Sequence, residues 1–254
     1  MNLDNQIAIV TGGGRGIGQH IALRLAQEGA HIVIASRKPA EMILGKYGKR
    51  IKVIPTDITQ EEQVVHMVKS TLEIDNRIDI LVNNSGIAGP TKNVEDISLE
   101  EWEETMAVNL RGMFLCCKHV VPVMKKQNRG NIVNIASITG KRPLTQRSPY
   151  GTTKMGMIGF TRTLALELGK WNIRVNAVCP GTVVGSRQKE VYEGVAKHSG
   201  KTWDQFIAMK AELSPLKTLV DPKYIATVVA FLCSEDAAMM TGQDINVSAG
   251  VVMY

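Results

Sequence analysis

The chain has 254 residues, 44% of them hydrophobic, and carries a formal charge of +6. That apolar share is enough for a large buried core. No apolar run reaches the length of a membrane helix, and the lysines and arginines are spread along the chain without a dense basic run interleaved with aromatics, so a nucleic-acid interface is not expected. The four cysteines, Cys116, Cys117, Cys179 and Cys233, lack C-x-x-C spacing and imply a reduced compartment. The five histidines show no ligand spacing, so no metal is expected. The first strand begins within a few residues of Met1, which leaves no room for a signal peptide and points to a cytoplasmic protein.

The run Ile7 to Val10 is apolar and β-branched, which predicts a strand buried on both faces. Gly12, Gly16 and Gly18 follow, and let the backbone turn sharply and approach a ligand. From Gln19 to Gln27, Ile21, Ala22, Leu25 and Ala26 recur at helical spacing. The loop, with Arg15 and Ile17 inside it, therefore opens a helix whose unpaired N–H groups suit a pyrophosphate. The glycine spacing itself departs from G-x-G-x-x-G. A second strand, His31 to Ala35, leads into Ser36-Arg37-Lys38. A fold that binds NAD puts an acidic side chain here for the ribose 2′-OH, whereas an arginine accommodates the 2′-phosphate of NADP. This chain offers no carboxylate, and NADP is favoured over NAD.

Ile51 to Ile54 is the third strand, followed by Asp57. Thr59 and Glu62 form a capping box for a helix carrying Val64, Val65, Val68 and Leu72 inward. The fourth strand, Asp79 to Asn83, ends in Asn83-Asn84-Ser85-Gly86. A second capping box at Ser98 and Glu101 opens a helix to about Val108, next to Asn109. Phe114 to Lys126 is a helix packed through Cys116 and Cys117, and Asn131 to Ala136 is a strand ended by Ser137. A polar loop, KRPLTQRSP, precedes a helix from Tyr150 to Leu168. The strand Arg174 to Val178 runs into Cys179-Pro180-Gly181-Thr182, and residues 182–219 form a helical excursion suited to a substrate lid. Asp221-Pro222 caps the last helix, and Asp244 to Val247 is the final strand. Strands alternating with helices predict an α/β fold: one doubly wound parallel sheet of the Rossmann type, in a single domain over residues 1–254.

Tyr150 and Lys154 lie one helical turn apart on one face. Ser137 stands thirteen residues before Tyr150, at a strand end where open α/β sheets place ligands. TGGGRGIG near the start, NNSG at Asn83 to Gly86, Ser137 and Tyr150-x-x-x-Lys154 occur in the order seen in the short-chain dehydrogenase/reductases. The chain resembles that family over nearly its whole length and is similar to its 3-oxoacyl-[acyl-carrier-protein] reductases.

The resemblance implies hydride transfer between a nicotinamide cofactor and a carbonyl or alcohol. Tyr150 would be the general acid/base; a free tyrosine titrates near 10, and an adjacent ammonium favours the phenolate. Ser137 would bind the reacting oxygen, Lys154 the nicotinamide ribose, and Asn109 the water that links Lys154 to solvent. For the cofactor, the resemblance implies Arg15 near the 2′-phosphate, Asp57 at the adenine, Asn84 and Gly86 in the turn after the fourth strand, and Pro180, Gly181 and Thr182 beside the nicotinamide. It also implies a homotetramer. Residues 39–50 depart from the family: members carry a helix of several turns there, whereas a stretch broken by Gly45 and Gly48 leaves room only for a truncated one. The cations Lys141, Arg142, Arg147, Arg187 and Lys189 flank the tyrosine in this arrangement, so a small polar, anionic substrate is expected. A carrier-protein thioester and a non-catalytic nucleotide sensor are the alternatives.

Overall fold

The computed structural model describes residues 1–37, 47–185 and 200–254. Seven parallel strands form one sheet in the order β3-β2-β1-β4-β5-β6-β7. They are β1 (Ile7–Thr11), β2 (His31–Ser36), β3 (Ile51–Pro55), β4 (Ile80–Asn83), β5 (Gly130–Ile135), β6 (Ile173–Pro180) and β7 (Asp244–Val247). All five residues of β1 are buried, as expected of a central strand covered on both faces.

Alternation along β1 divides the core in two. Ala8 and Val10 face a layer built from α1 (Gly16–Gln27) and the C-terminal helix Pro222–Cys233, with Ile21, Leu25, Ile225 and Val229 packed between them. Ile9 faces the other layer, formed by α2 (Glu61–Asp75), α4 (Gly112–Gln127) and α6 (Ser148–Leu168), which contribute Val64, Met67, Cys116, Val120, Met157 and Ile158. Each fully buried Leu or Ile stabilises the fold by about 1.5–3 kcal/mol relative to exposure. At the far edge, the buried Asp79 accepts from Ile7 N at 2.8 Å and from the guanidinium of Arg77 at 2.8 Å and of Arg129 at 2.5 Å. It holds the starts of β1, β4 and β5 together.

Sheet order reverses between β1 and β4, so the crevice at their carboxyl ends is the topological switch point where such sheets bind ligands. A break between α3 (Leu99–Met106) and α4 faces this crevice: one π-helical stretch, Ala107–Arg111, interrupts the helix at Asn109. The capping box at Ser98 and Glu101 forms as expected, and Asp221 caps the last helix through Lys223 N. The one at Thr59 does not. Asp57 takes both the N–H and the hydroxyl of Thr59, at 2.9 and 2.8 Å, in a local turn, and α2 starts later, at Glu61, without a side-chain cap.

The loop after β5 contains an unanticipated single turn, α5 (Ile138–Lys141). The expected crossover truncation falls largely on residues 38–46, outside the described residues; the stretch that follows is a 3₁₀ turn, Gly48–Arg50. Of the excursion at 182–219, residues 186–199, which include Arg187 and Lys189, also lie outside them, and 200–219 contain α7 (Trp203–Glu212), capped by Thr202. The C-terminal helix Pro222–Cys233 is α8. Among the described residues, no helix is long and apolar enough to cross a membrane.

Candidate active site

The glycine loop leaves β1 at the switch point. Gly12 has φ +63° and Gly16 φ +55°, conformations that side chains other than glycine rarely adopt, and Gly12 N donates to Ala35 O at 2.7 Å, tying the loop to the end of β2. A Cβ on Gly18 would collide with the Gly12 carbonyl oxygen and the Asn84 side-chain amide. The N-cap of α1 is Arg15, whose side chain makes no capping hydrogen bond. Gly16 borders open space, with nothing within 4 Å of the position its Cβ would take. A glycine-lined backbone cradle at a helix N-terminus fits a pyrophosphate.

Across the crevice, Thr11 is a staple that sequence reasoning missed. Its hydroxyl accepts Asn84 N and Ser85 N, each at 3.0 Å, while Asn84 Nδ2 donates to Thr11 O at 2.9 Å and to Gly12 O at 3.2 Å. The ends of β1 and β4 are thereby locked together.

Tyr150 and Lys154 stand on the first two turns of α6. The buried Lys154 donates through Nζ to Ile135 O at 2.8 Å, and its ammonium lies 5.7 Å from the centroid of the Tyr150 ring. Ser137 is the N-cap of α5; its Oγ accepts Thr139 N at 3.1 Å, which leaves the hydroxyl proton to donate elsewhere. The fully buried Asn109 accepts Ile87 N at 2.7 Å and donates to Ile87 O at 3.0 Å and to Thr153 Oγ1 at 3.1 Å. Thr153 in turn donates to Tyr150 O at 2.8 Å. Thr153, next to Lys154 in sequence, thus links Asn109 to the tyrosine's own turn, and nothing in the sequence pattern marks it for that task. A Cβ on Gly86 would lie 3.1 Å from Asn109 Oδ1 and 3.7 Å from Lys154 Nζ, so glycine preserves the gap between them.

The family description "Enoyl-(Acyl carrier protein) reductase" matches residues 12–252. A 3-oxoacyl-[acyl-carrier-protein] reductase of Aquifex aeolicus is 37% identical over 257 residues, covering 99% of each chain. The chain belongs to the short-chain dehydrogenase/reductase family. Solved structures agree: an NAD+-bound xylitol dehydrogenase superimposes with a TM-score of 0.92 at 32% identity, covering 98% of this chain and all of that one. An actinorhodin polyketide ketoreductase with NADPH gives 0.93 at 31% identity, with full coverage of both. This family member is accordingly an oxidoreductase built on a nicotinamide-dinucleotide fold.

The glycine loop and Ser137, Tyr150 and Lys154 share one cavity of about 350 Å3, running from Arg15, Gly16, Ile17 and Gly18 past Asn84 and Gly86 to Ser137, Tyr150, Lys154 and Pro180, Gly181 and Thr182; Asn109 is buried behind it. Val183 pairs with Val220, which fixes the wall after β6. Ser36 ends β2 and Arg37 follows it; Ser36 is half-buried, whereas Arg37 and Arg15 are exposed. Asp57 is half-buried and already committed to Thr59. A larger cavity, about 480 Å3, lies at the opposite edge of the sheet beside Asp79, Arg129 and Arg174, away from these residues.

Among the described residues, the expected ring of cations around the tyrosine contracts to Arg147. That residue lines the cavity. Arg142 is exposed, outside the cavity lining. Lys141 turns the other way: the α5 turn carries its ammonium to the Asp244 carboxylate and to Tyr254 O at 2.9 Å. Arg187 and Lys189 lie outside the described residues. The cysteines are buried thiols. Burial pushes Cys117 and Cys233 up to about 12, and Cys179, despite the pull of Lys141, up to about 11.

Proposed function

We propose that the protein is an NADP(H)-preferring oxidoreductase that interconverts a carbonyl and an alcohol on a small polar substrate, with Tyr150 as general acid/base. The observation that carries this reading is the placement of Tyr150, Lys154 and Ser137 at one end of the cavity whose other end is the glycine cradle. Gly12, Arg15, Gly16, Ile17 and Gly18 hold the pyrophosphate, while Arg15, Ser36 and Arg37 meet the 2′-phosphate and Asp57 the adenine. Asn84, Gly86, Pro180, Gly181 and Thr182 border the nicotinamide half, and Lys154 and Tyr150 hold its ribose. When bound, the nicotinamide supplies or accepts the hydride.

Ser137 donates its free hydroxyl proton to the substrate oxygen and orients it toward Tyr150. In reduction Tyr150 gives its proton to that oxygen; in oxidation it takes the alcohol proton. The Lys154 ammonium stays beside the ring through this exchange. Proton return runs from Lys154 through a water held at the π-helical break around Asn109. The exposed apolar side chains Phe114 on α4 and Met155 and Leu166 on α6 support assembly into a homotetramer. A second reading, reduction of a 3-oxoacyl thioester on a carrier protein, is supported by the similarity to the Aquifex aeolicus reductase. Steady-state kinetics over a panel of small oxo compounds and a 3-oxoacyl thioester, each with NADPH and NADH, test the proposal. A higher kcat/KM with NADPH on the small compounds is expected; preference for NADH, or turnover of the thioester alone, would overturn it.

A further inference from the structure

Arg147 is the N-cap residue of α6, three positions before Tyr150, and is only 7% exposed. Its Nη1 donates to Thr91 Oγ1 and its Nη2 to Ala88 O, both at 2.8 Å, and the guanidinium carbon sits 5.1 Å from the centroid of the Tyr150 ring. All three partners are neutral. Among the described residues the cavity is lined by Arg15, Arg147 and Lys154 and by no aspartate or glutamate. A charge taken out of water at this depth normally faces a counter-charge, because neutral partners do not repay its desolvation.

The other two cations have tasks. Arg15 stands at the glycine cradle, and Lys154 is held by Ile135 O beside the tyrosine. Arg147 stands at the tyrosine end, and two of its five N–H donors hold the loop after β4. The guanidinium as a whole lies beside the ring that handles the reacting oxygen.

Resting on the assignment of Tyr150 as acid/base, we infer that the substrate is a short oxo or hydroxy acid whose carboxylate Arg147 holds while Tyr150 meets the reacting oxygen. Since guanidinium and phenol are side by side, the carboxylate lies within a few bonds of the reacting carbon. A planar fork matches a carboxylate with two parallel hydrogen bonds, which a lysine cannot reproduce.

The competing account makes Arg147 a bolt for the loop alone. Lys92 N donates to Gln146 O at 3.1 Å beside it, and Gln146 is held at φ +62°, so that loop junction is independently tight. The two accounts differ in charge discrimination. Acetoacetate and methyl acetoacetate, reduced with NADPH by wild type, Arg147→Met and Arg147→Lys, separate them. Wild type is expected to favour the acid over the ester in kcat/KM, and Arg147→Met to lose roughly 10–100-fold on the acid, the scale of a charge-assisted pair, with less than about threefold change on the ester.

Arg147→Lys keeps the charge without the fork and is expected to fall between the two on the acid alone; it decides the matter if the methionine variant does not fold. Equal handling of acid and ester by wild type, or an equal loss on both in the variants, would overturn the inference. Calorimetric binding of acetoacetate to wild type and to Arg147→Lys keeps the question separate from catalysis. Were no oxo compound reduced at all, the oxidoreductase reading would fall, while binding by wild type that weakens in the variant would still support the carboxylate site, and binding unchanged in the variant, or absent from wild type, would overturn it.

Discussion

Gly18→Ala tests the cradle with a single methyl group. The new Cβ would collide with the Gly12 carbonyl oxygen and the Asn84 amide, with the Gly12 carbonyl carbon 2.9 Å away. An ordinary carbon contact is about 3.5 Å or more, so the loop must retreat by roughly 0.6 Å at that atom, and by more at the two closer ones. That movement breaks the bonds from Asn84 Nδ2 to Thr11 O and Gly12 O. Overpacking and two lost hydrogen bonds together cost on the order of 3 kcal/mol. At about 2–4 °C per kcal/mol for a chain of this size, Tm falls by roughly 6–12 °C.

The same displacement moves the cradle off the pyrophosphate, so affinity for NADPH, titrated by fluorescence, should fall by at least about tenfold, on the order of 1.4 kcal/mol. Gly159→Ala is the control. Its Cβ meets nothing within 4 Å in the subunit, on an exposed face of α6 away from the cradle, so the substitution should leave NADPH binding unchanged. Thermal melts and titrations that place Gly18→Ala within error of wild type would refute the reasoning.

Burial alone would raise the Asp244 carboxyl, but hydrogen bonds from Lys141 and Arg162 outweigh it and hold the group below the ordinary aspartate value. A depressed carboxyl stabilises the fold fully above its unfolded pKa, about 3.9, and that contribution is lost as pH falls through the lower folded value. The Tm gap between wild type and Asp244→Asn should therefore be wider at pH 6 than at pH 3, and an equal gap at both would contradict the assignment. The four buried cysteines, all with thiols pushed up by burial, should resist iodoacetamide at pH 8 in the folded protein and react after unfolding; rapid labelling of native protein would contradict their burial.

Much of the site was legible because it is local. The strand Ile7–Thr11, the glycines behind it and the box at Ser98 each rest on spacing or caps within a few residues, whereas Asn109 stands out through the family resemblance. What escaped depends on distant partners or on competition between neighbours. Thr11 bonds to Asn84, 73 residues away, and Thr153 to Asn109, 44 residues away, and neither threonine carries a pattern that reveals it. Thr59 looked like a cap until Asp57, two positions earlier, captured it. Lys141 and Arg147 are alike as loop cations in sequence. A single turn of α5 sends the first to Asp244, and the start of α6 folds the second against Tyr150, so direction is decided by backbone geometry that charge spacing does not encode.

The central claim is that Tyr150 moves the proton at the reacting oxygen. Tyr150→Phe keeps the ring between Lys154 and Arg147 and removes only the hydroxyl. On a carbonyl substrate found by the panel, with NADPH affinity measured in parallel, the variant should bind the cofactor within about threefold of wild type and lose turnover by at least about 100-fold, the scale of general acid catalysis. Retention of more than a few per cent of kcat with intact binding would contradict the account.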